Sequence, residues 1–253
     1  MKNFLLILII FVSHFIQGIT GFAGTLLAMP WSSKVIGFES ARSMMNLLTI
    51  FSALLIVIMN FRYIHKRELA KITLFMGFGL VFGILVKNTA QLDILMILYG
   101  LIILGVAVQG IISFYCNRAK EDVVYDSSNE VQLTSKKYLA IDVIILFLAG
   151  VIHGIYVSGG ALMVLYAVKH IKDKKKFRAT VAALWIILNT AIALTDLFSG
   201  KFIMDNIRYV GITILPCLIA TQIGIVVQKY ISNSVFTIIT YGLLLLTGGS
   251  IIF

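Results

Sequence analysis

The feature that most constrains this chain is a series of apolar runs that follow one another almost without pause. They cover residues 4–30, 43–61, 69–87, 92–115, 139–168, 181–199, 207–228 and 235–253, with short polar stretches between them. About 20 apolar residues wound as an α-helix match the thickness of a bilayer core. Lipid offers a backbone amide no partner, so a spanning segment must be a helix or part of a closed barrel. No run shows the alternation with a period of two that a barrel strand needs. The sequence therefore predicts an all-α polytopic membrane protein. With 13% charged residues, against about 25% in ordinary soluble domains, residues 1–253 form a single membrane domain.

The start, Met1-Lys2-Asn3 and an apolar run, has the outline of a signal peptide, but no small-x-small cleavage site closes it, so the run is expected to stay in the mature protein. The formal net charge of +10 comes from basic residues between the apolar runs. That distribution fits cytoplasmic loops beside a lipid bilayer, and no nucleic-acid partner is expected. Cys116 and Cys217 are far apart and lack metal-ligand spacing. No metal or cofactor is expected, and the P-loop pattern of a direct ATP user is missing. No paired intramembrane carboxylates, Cys/His cluster or Ser/His/Asp set stands out, so the chain is not read as an enzyme.

Shifting the sequence by 136 positions lays its two halves on one another without a gap. Gly18 falls on Gly154, Gly24 on Gly160, Leu26 on Leu162 and Arg42 on Arg178. Residues 1–116 and 138–253 are thus expected to be two repeats joined by a cytoplasmic linker, 117–137. Charge counting then constrains the topology. If all eight runs cross, eleven of the 21 Lys and Arg lie on one side, which orients nothing. If the first and fifth runs enter and return to their own side, the split becomes fifteen to six. Each half then has a broken, re-entrant hairpin and three transmembrane helices. Three crossings are an odd number, so the repeats are inverted. Making the fifth run alone re-entrant gives sixteen to five, so charge does not decide whether the first run crosses fully; the repeat favours two hairpins.

The first broken run reads His14-Phe15-Ile16-Gln17-Gly18-Ile19-Thr20-Gly21-Phe22-Ala23-Gly24-Thr25 and the second His153-Gly154-Ile155-Tyr156-Val157-Ser158-Gly159-Gly160. Each interior glycine costs a helix about 1 kcal/mol relative to alanine. A helix broken there frees backbone donors and acceptors, which must be buried in protein or line a polar cavity. The resumed half-helix, starting near Gly24 or Gly160, would aim its amides and positive dipole end into that cavity, a site for an anion. Thr20, Thr25, Tyr156 and Ser158 could add hydroxyls, and Gln17 and His153 occupy equivalent repeat positions. These residues, with Gly18, Gly21, Gly154 and Gly159, form the expected substrate site. The alternative is that the glycines only allow close helix packing. Arg42 and Arg178 are candidate gate or site residues, with headgroup or positive-inside roles as the alternative. Asn46, Asn189 and Gln109 either line the cavity or bond between helices, the latter being the default for all three. His14 and His153 are the candidates for proton coupling, with a neutral, hydrogen-bonded imidazole as the alternative.

These residues also carry a resemblance. Gln17 through Gly24, continuing to Pro30, resembles the QGxTGFGxxLxxxP opening of the sulfite exporter TauE/SafE family of bacterial membrane permeases. Gly154 through Tyr166 resembles its GxxxGxxGGPxxxxY pattern, and Phe177-Arg178-Ala179-Thr180 its FRAT-like stretch. Ala23 and Ala161 depart from it, where the family often has Gly and Pro. The resemblance implies a multi-pass protein of the bacterial cytoplasmic membrane that moves sulfite, a sulfonate or a related organic oxyanion. Alternating access is the expected mechanism, with a non-transporting scaffold or sensor, or an anion channel, as alternatives. The coupling ion, H+ or Na+, and the oligomeric state stay open.

Overall fold

The computed structural model describes residues 2–87, parts of 97–112, 136–199 and 204–252, and within them every regular element is helical. In chain order these are α1 (Lys2–Thr20), α2 (Ala23–Ile36), α3 (Phe38–Asn60), a 3-10 turn (Phe61–Tyr63), α4 (Lys66–Val86) and the shorter apolar helix α5 (Ile103–Ile112). They continue as α6 (Lys136–Tyr156), α7 (Gly160–His170), α8 (Lys174–Phe198), α9 (Met204–Gln228) and α10 (Asn233–Ile252). Among the described residues, α1, α3, α4, α8 and α9 contain stretches long and apolar enough to cross a membrane. Large apolar side chains such as Phe78, Leu85, Leu215 and Leu246 point outward, as a lipid-facing surface allows. The chain is a multi-pass membrane protein.

Local sequence sets the helix ends. His65 accepts from the Glu68 amide to start α4, and Asp173 accepts from the Lys176 amide at 2.8 Å to start α8. The expected boundaries move in places. α3 begins at Phe38 rather than residue 43, and α6 begins at Lys136, inside the expected linker, whose residues 117–135 lie outside the described part. The expected segment 92–115 is described only in part.

Close packing rests on glycine where helix backbones touch. Gly79 and Gly83 of α4 face Phe147 and Val151 of α6, while Gly150 and Gly154 of α6 face Met76 and Leu80 of α4. Gly18 of α1 and Gly224 of α9 meet in the same way, with a Cβ on either lying 2.9 Å from the other's Cα. Small residues let helices approach where water supplies no hydrophobic drive. The pairings correspond across the halves, because α1 packs on α9 as α6 packs on α4, and α3 packs on α8.

Both broken segments fold back as hairpins. His170, at the end of α7, lies 2.9 Å from Asp142 near the start of α6, so α7 retraces α6. Trp31 and Leu27 of α2 share an apolar groove with Leu8, Val12 and Ile16 of α1, so α2 retraces α1. α3 and α8 run antiparallel, since Arg42 near the start of α3 pairs with Asp196 near the end of α8, and Asn60 at the end of α3 pairs with Arg178 near the start of α8.

Candidate functional site

The two breaks have one design. α1 stops at Thr20 and the chain turns through Gly21 at φ 85°; α6 stops at Tyr156 and turns through Val157 at φ 56°. These two left-handed residues are equivalent at the 136-residue offset. Glycine adopts that conformation freely, whereas a β-branched valine is strained in it. Such strain persists only where the surroundings hold it, and it gathers at functional sites.

The carbonyls freed at each break are taken up by the other half. Arg178 donates from Nη1 to the Gly18 carbonyl at 2.9 Å and from Nη2 to the Asn60 side chain at 3.1 Å. Arg42 donates to the Gly154 and Ile155 carbonyls, both at 3.2 Å, and pairs with Asp196 at 2.9 Å. At the 136-residue offset Arg42 corresponds to Arg178, Gly18 to Gly154 and Asn60 to Asp196. Each half's arginine therefore holds the equivalent broken helix of its partner half, with a cation at the negative end of the helix dipole. The arginines are 2% and 1% exposed, which rules out headgroup contact, and neither lines the cavity described next. The loop positions assigned to them by charge counting are corrected accordingly. Without them the split is fourteen to five, with its sign unchanged.

Between the resumed half-helices lies a small cavity with free room for about one water. Its lining is Phe22, Thr25 and Leu26 at the start of α2, Thr49 on α3, His153 on α6, Val157, Ser158 and Gly160 at the second break, and Trp185 on α8. Thr49 and Trp185 are again equivalent positions. Thr49 is about 10 Å along α3 from Arg42 and about 16 Å from Asn60, so the cavity sits well inside the bundle.

Both half-helices begin without a side-chain cap: Phe22 precedes α2 and Gly159 precedes α7, and neither makes a side-chain cap bond. The first amides of a helix have no partner within it. At α2, Thr20 Oγ1 takes long bonds from the Phe22 and Ala23 amides, 3.4 and 3.3 Å. At the second break the Gly159 amide donates to His153 Nδ1 at 3.4 Å. An Nδ1 that accepts places the proton of a neutral imidazole on Nε2. His153 Nε2 is buried and makes no well-formed hydrogen bond, and the Asn189 side chain, whose Oδ1 is likewise without a well-formed bond, is the acceptor that acts on the ring. A weakly engaged donor thus belongs to a residue of the cavity wall, its ring tilted 30° to Trp185 with centroids 5.0 Å apart.

The remaining expected residues sort by environment. Thr25 bonds Thr49 at 2.9 Å, and Gln17 donates to Ser52 at 2.7 Å while lying over Gly24, where a Cβ would strike it. Gly18 and Gly154 press on neighbouring backbones, and Gly159 on Ala149 and His153. Gly160 is different: a Cβ there would meet Trp185 at 3.4 Å, ordinary contact, on the cavity side. Tyr156 is buried edge-on to Phe38. Asn46 donates to the Asn189 carbonyl at 3.1 Å, a bond between helices, and Gln109 is exposed. His14 is buried with Nδ1 3.0 Å from the Ile10 carbonyl, away from the cavity. Phe22, Leu26, Thr49 and Trp185 were not among the residues expected from the sequence, although extending the repeat register would have paired Thr49 with Trp185.

The model of the family described as "Sulfite exporter TauE/SafE" matches residues 5–251. The chain belongs to the sulfite exporter TauE/SafE family. Neither a curated protein nor a solved structure matches it. Family membership makes the chain one of a group of membrane transporters for sulfite-type anions, and in this TauE/SafE member the glycine-broken openings converge on one cavity.

Proposed function

We propose that the chain is a secondary transporter of the bacterial cytoplasmic membrane that carries sulfite, a sulfonate or a related small oxyanion by alternating access. The anion is held between the uncapped starts of α2 and α7, where amides and positive dipole ends meet, with His153 Nε2–H as a further donor and Thr25 and Ser158 as hydroxyl neighbours. The observation that carries this reading is the convergence on one buried cavity of two half-helix starts whose N-cap residues make no side-chain bond and whose first amides have only long ones, beside an imidazole donor without a well-formed bond.

Two inverted repeats, 1–116 and 138–253, joined by a cytoplasmic linker, supply the moving parts. The reciprocal arginine bonds and the antiparallel α3 and α8 support that arrangement. A cavity with room for about one water favours a carrier that must open to load its anion over a standing pore. Reconstituted in liposomes and offered sulfite, thiosulfate, sulfonates and short carboxylates, the protein is expected to move at least one of them with saturation. Failure of every anion to move or bind would overturn the proposal and leave a scaffold or sensor.

A further inference from the structure

The far end of α7 carries a second polar cluster, about 15 Å along the helix from Gly160 and the cavity. Tyr166 Oη donates to a Glu68 carboxylate oxygen at 2.6 Å, and His170 Nε2 lies 2.9 Å from an Asp142 carboxylate oxygen. The Tyr166 and His170 rings stack with centroids 4.2 Å apart, so the two bonds tie α4, α6 and α7 as one assembly. The other charged or titratable groups facing it are Lys169, 3.2 Å from Asp142, Lys71, 3.4 Å from Glu68, His65, which accepts from the Glu68 amide, and Arg67 near Tyr166. Glu68 and Asp142 are buried, whereas the His170 side chain keeps 29% exposure, so a proton from water reaches the cluster at His170.

A neutral His170 donates Nε2–H to Asp142. A proton arriving on Nδ1 turns that bond into a charge-assisted ion pair, which is roughly twice as strong as a neutral one. It also puts a positive charge in the last turn of α7, where the helix dipole favours it. His14 and His153, the histidines expected from the sequence to handle protons, are fully buried, and no ion pair joins either to a carboxylate among the described residues. We propose that the His170–Asp142 pair is a proton-binding site that fastens α7 to α6, so that pH on the α7 C-terminal face controls the anion site at the other end of that helix. The proton comes from the water on that face and returns to it; it is a regulator, not cargo. The proposal rests on the transporter reading for its consequence, but the fastening itself can be measured without transport.

The test is hydrogen exchange of residues 160–170 in lipid nanodiscs between about pH 8 and about pH 6, corrected for the intrinsic pH dependence of exchange. Protection in the wild type is expected to rise several-fold as pH falls, by at most about tenfold per pH unit for one proton. His170→Gln keeps a donor toward Asp142 but takes up no proton, and Asp142→Asn removes the charge; both should flatten the response. Protection that ignores pH in the wild type, or a pH response that survives in both variants, would overturn the inference. A pH response with no anion flux would support this inference and refute the transporter reading, whereas saturable flux with flat α7 protection would do the reverse.

Discussion

Replacing Gly18 and Gly160 in turn with alanine separates helix packing from ligand binding, the two roles open to the glycines of the broken segments. At Gly18 the new methyl would lie 2.9 Å from Gly224 Cα and closer still to the Thr221 carbonyl. Carbon atoms rest about 3.5–4.0 Å apart, so α1 and α9 must separate by about 1 Å where their backbones touch. Overpacking of this kind costs about 1–3 kcal/mol. At Gly160 the methyl would meet Trp185 at 3.4 Å and Leu26 at 3.5 Å, ordinary contact, so stability should change much less than at Gly18. That methyl nevertheless enters a cavity with room for about one water, beside the α7 amides. Thermal unfolding of purified protein with and without a transported anion reads both effects, because a ligand at 100 times its Kd stabilises by about 2.7 kcal/mol. Gly18→Ala should unfold earlier yet keep the anion-dependent gain; Gly160→Ala should unfold normally and lose most of it. A full anion response in Gly160→Ala would refute the reasoning.

Other consequences follow from the same geometry. Asp196→Ala strands Arg42 in a buried site and should cost about 3–5 kcal/mol in equilibrium unfolding, only part of it recovered in Arg42→Met with Asp196→Leu, because the Gly154 and Ile155 carbonyls then lose their donor. His153→Phe keeps a flat ring against Trp185 but loses the Nε2 donor, so anion affinity measured by calorimetry should fall about ten- to a hundredfold, since a hydrogen bond to a charged group is worth about 1.5–3 kcal/mol. Cysteines placed at Ser33 and Ser199 should react with impermeant reagent from outside and one at Lys174 from inside. Labelling of Ser33→Cys from the cytoplasm alone would contradict the orientation proposed for the first hairpin.

Much of this architecture was legible because lipid restricts a chain so severely. The apolar runs dictated helices, the glycine clusters at 18–24 and 154–160 marked where helices stop, and α2 and α7 resume within a residue of Gly24 and at Gly160. Charge counting read Arg42 and Arg178 wrongly, because it assumes that a basic residue lies in water. Both are buried in helices, held by backbone carbonyls that appear only once the opposite half's helix has broken. The signal was present in the 136-residue register, which also pairs Asn60 with Asp196, but a pairing between equivalent positions says nothing of which side chain reaches across. The cavity wall was partly missed for a related reason. Thr49 and Trp185 lie mid-helix in apolar surroundings, and only the packing of α3 against α8 brings them to the breaks. The glycines, alike in sequence, divide into packing and lining positions according to what stands opposite them.

The central claim, that an anion sits between the starts of α2 and α7, is tested most directly by measuring amide protection at residues 22–25 and 159–162 while sulfite or a transported sulfonate is titrated onto the protein in nanodiscs. The account predicts protection that rises at both stretches together and saturates with one affinity, because both uncapped ends donate to one ligand. Saturable anion binding that leaves both stretches unchanged would contradict it.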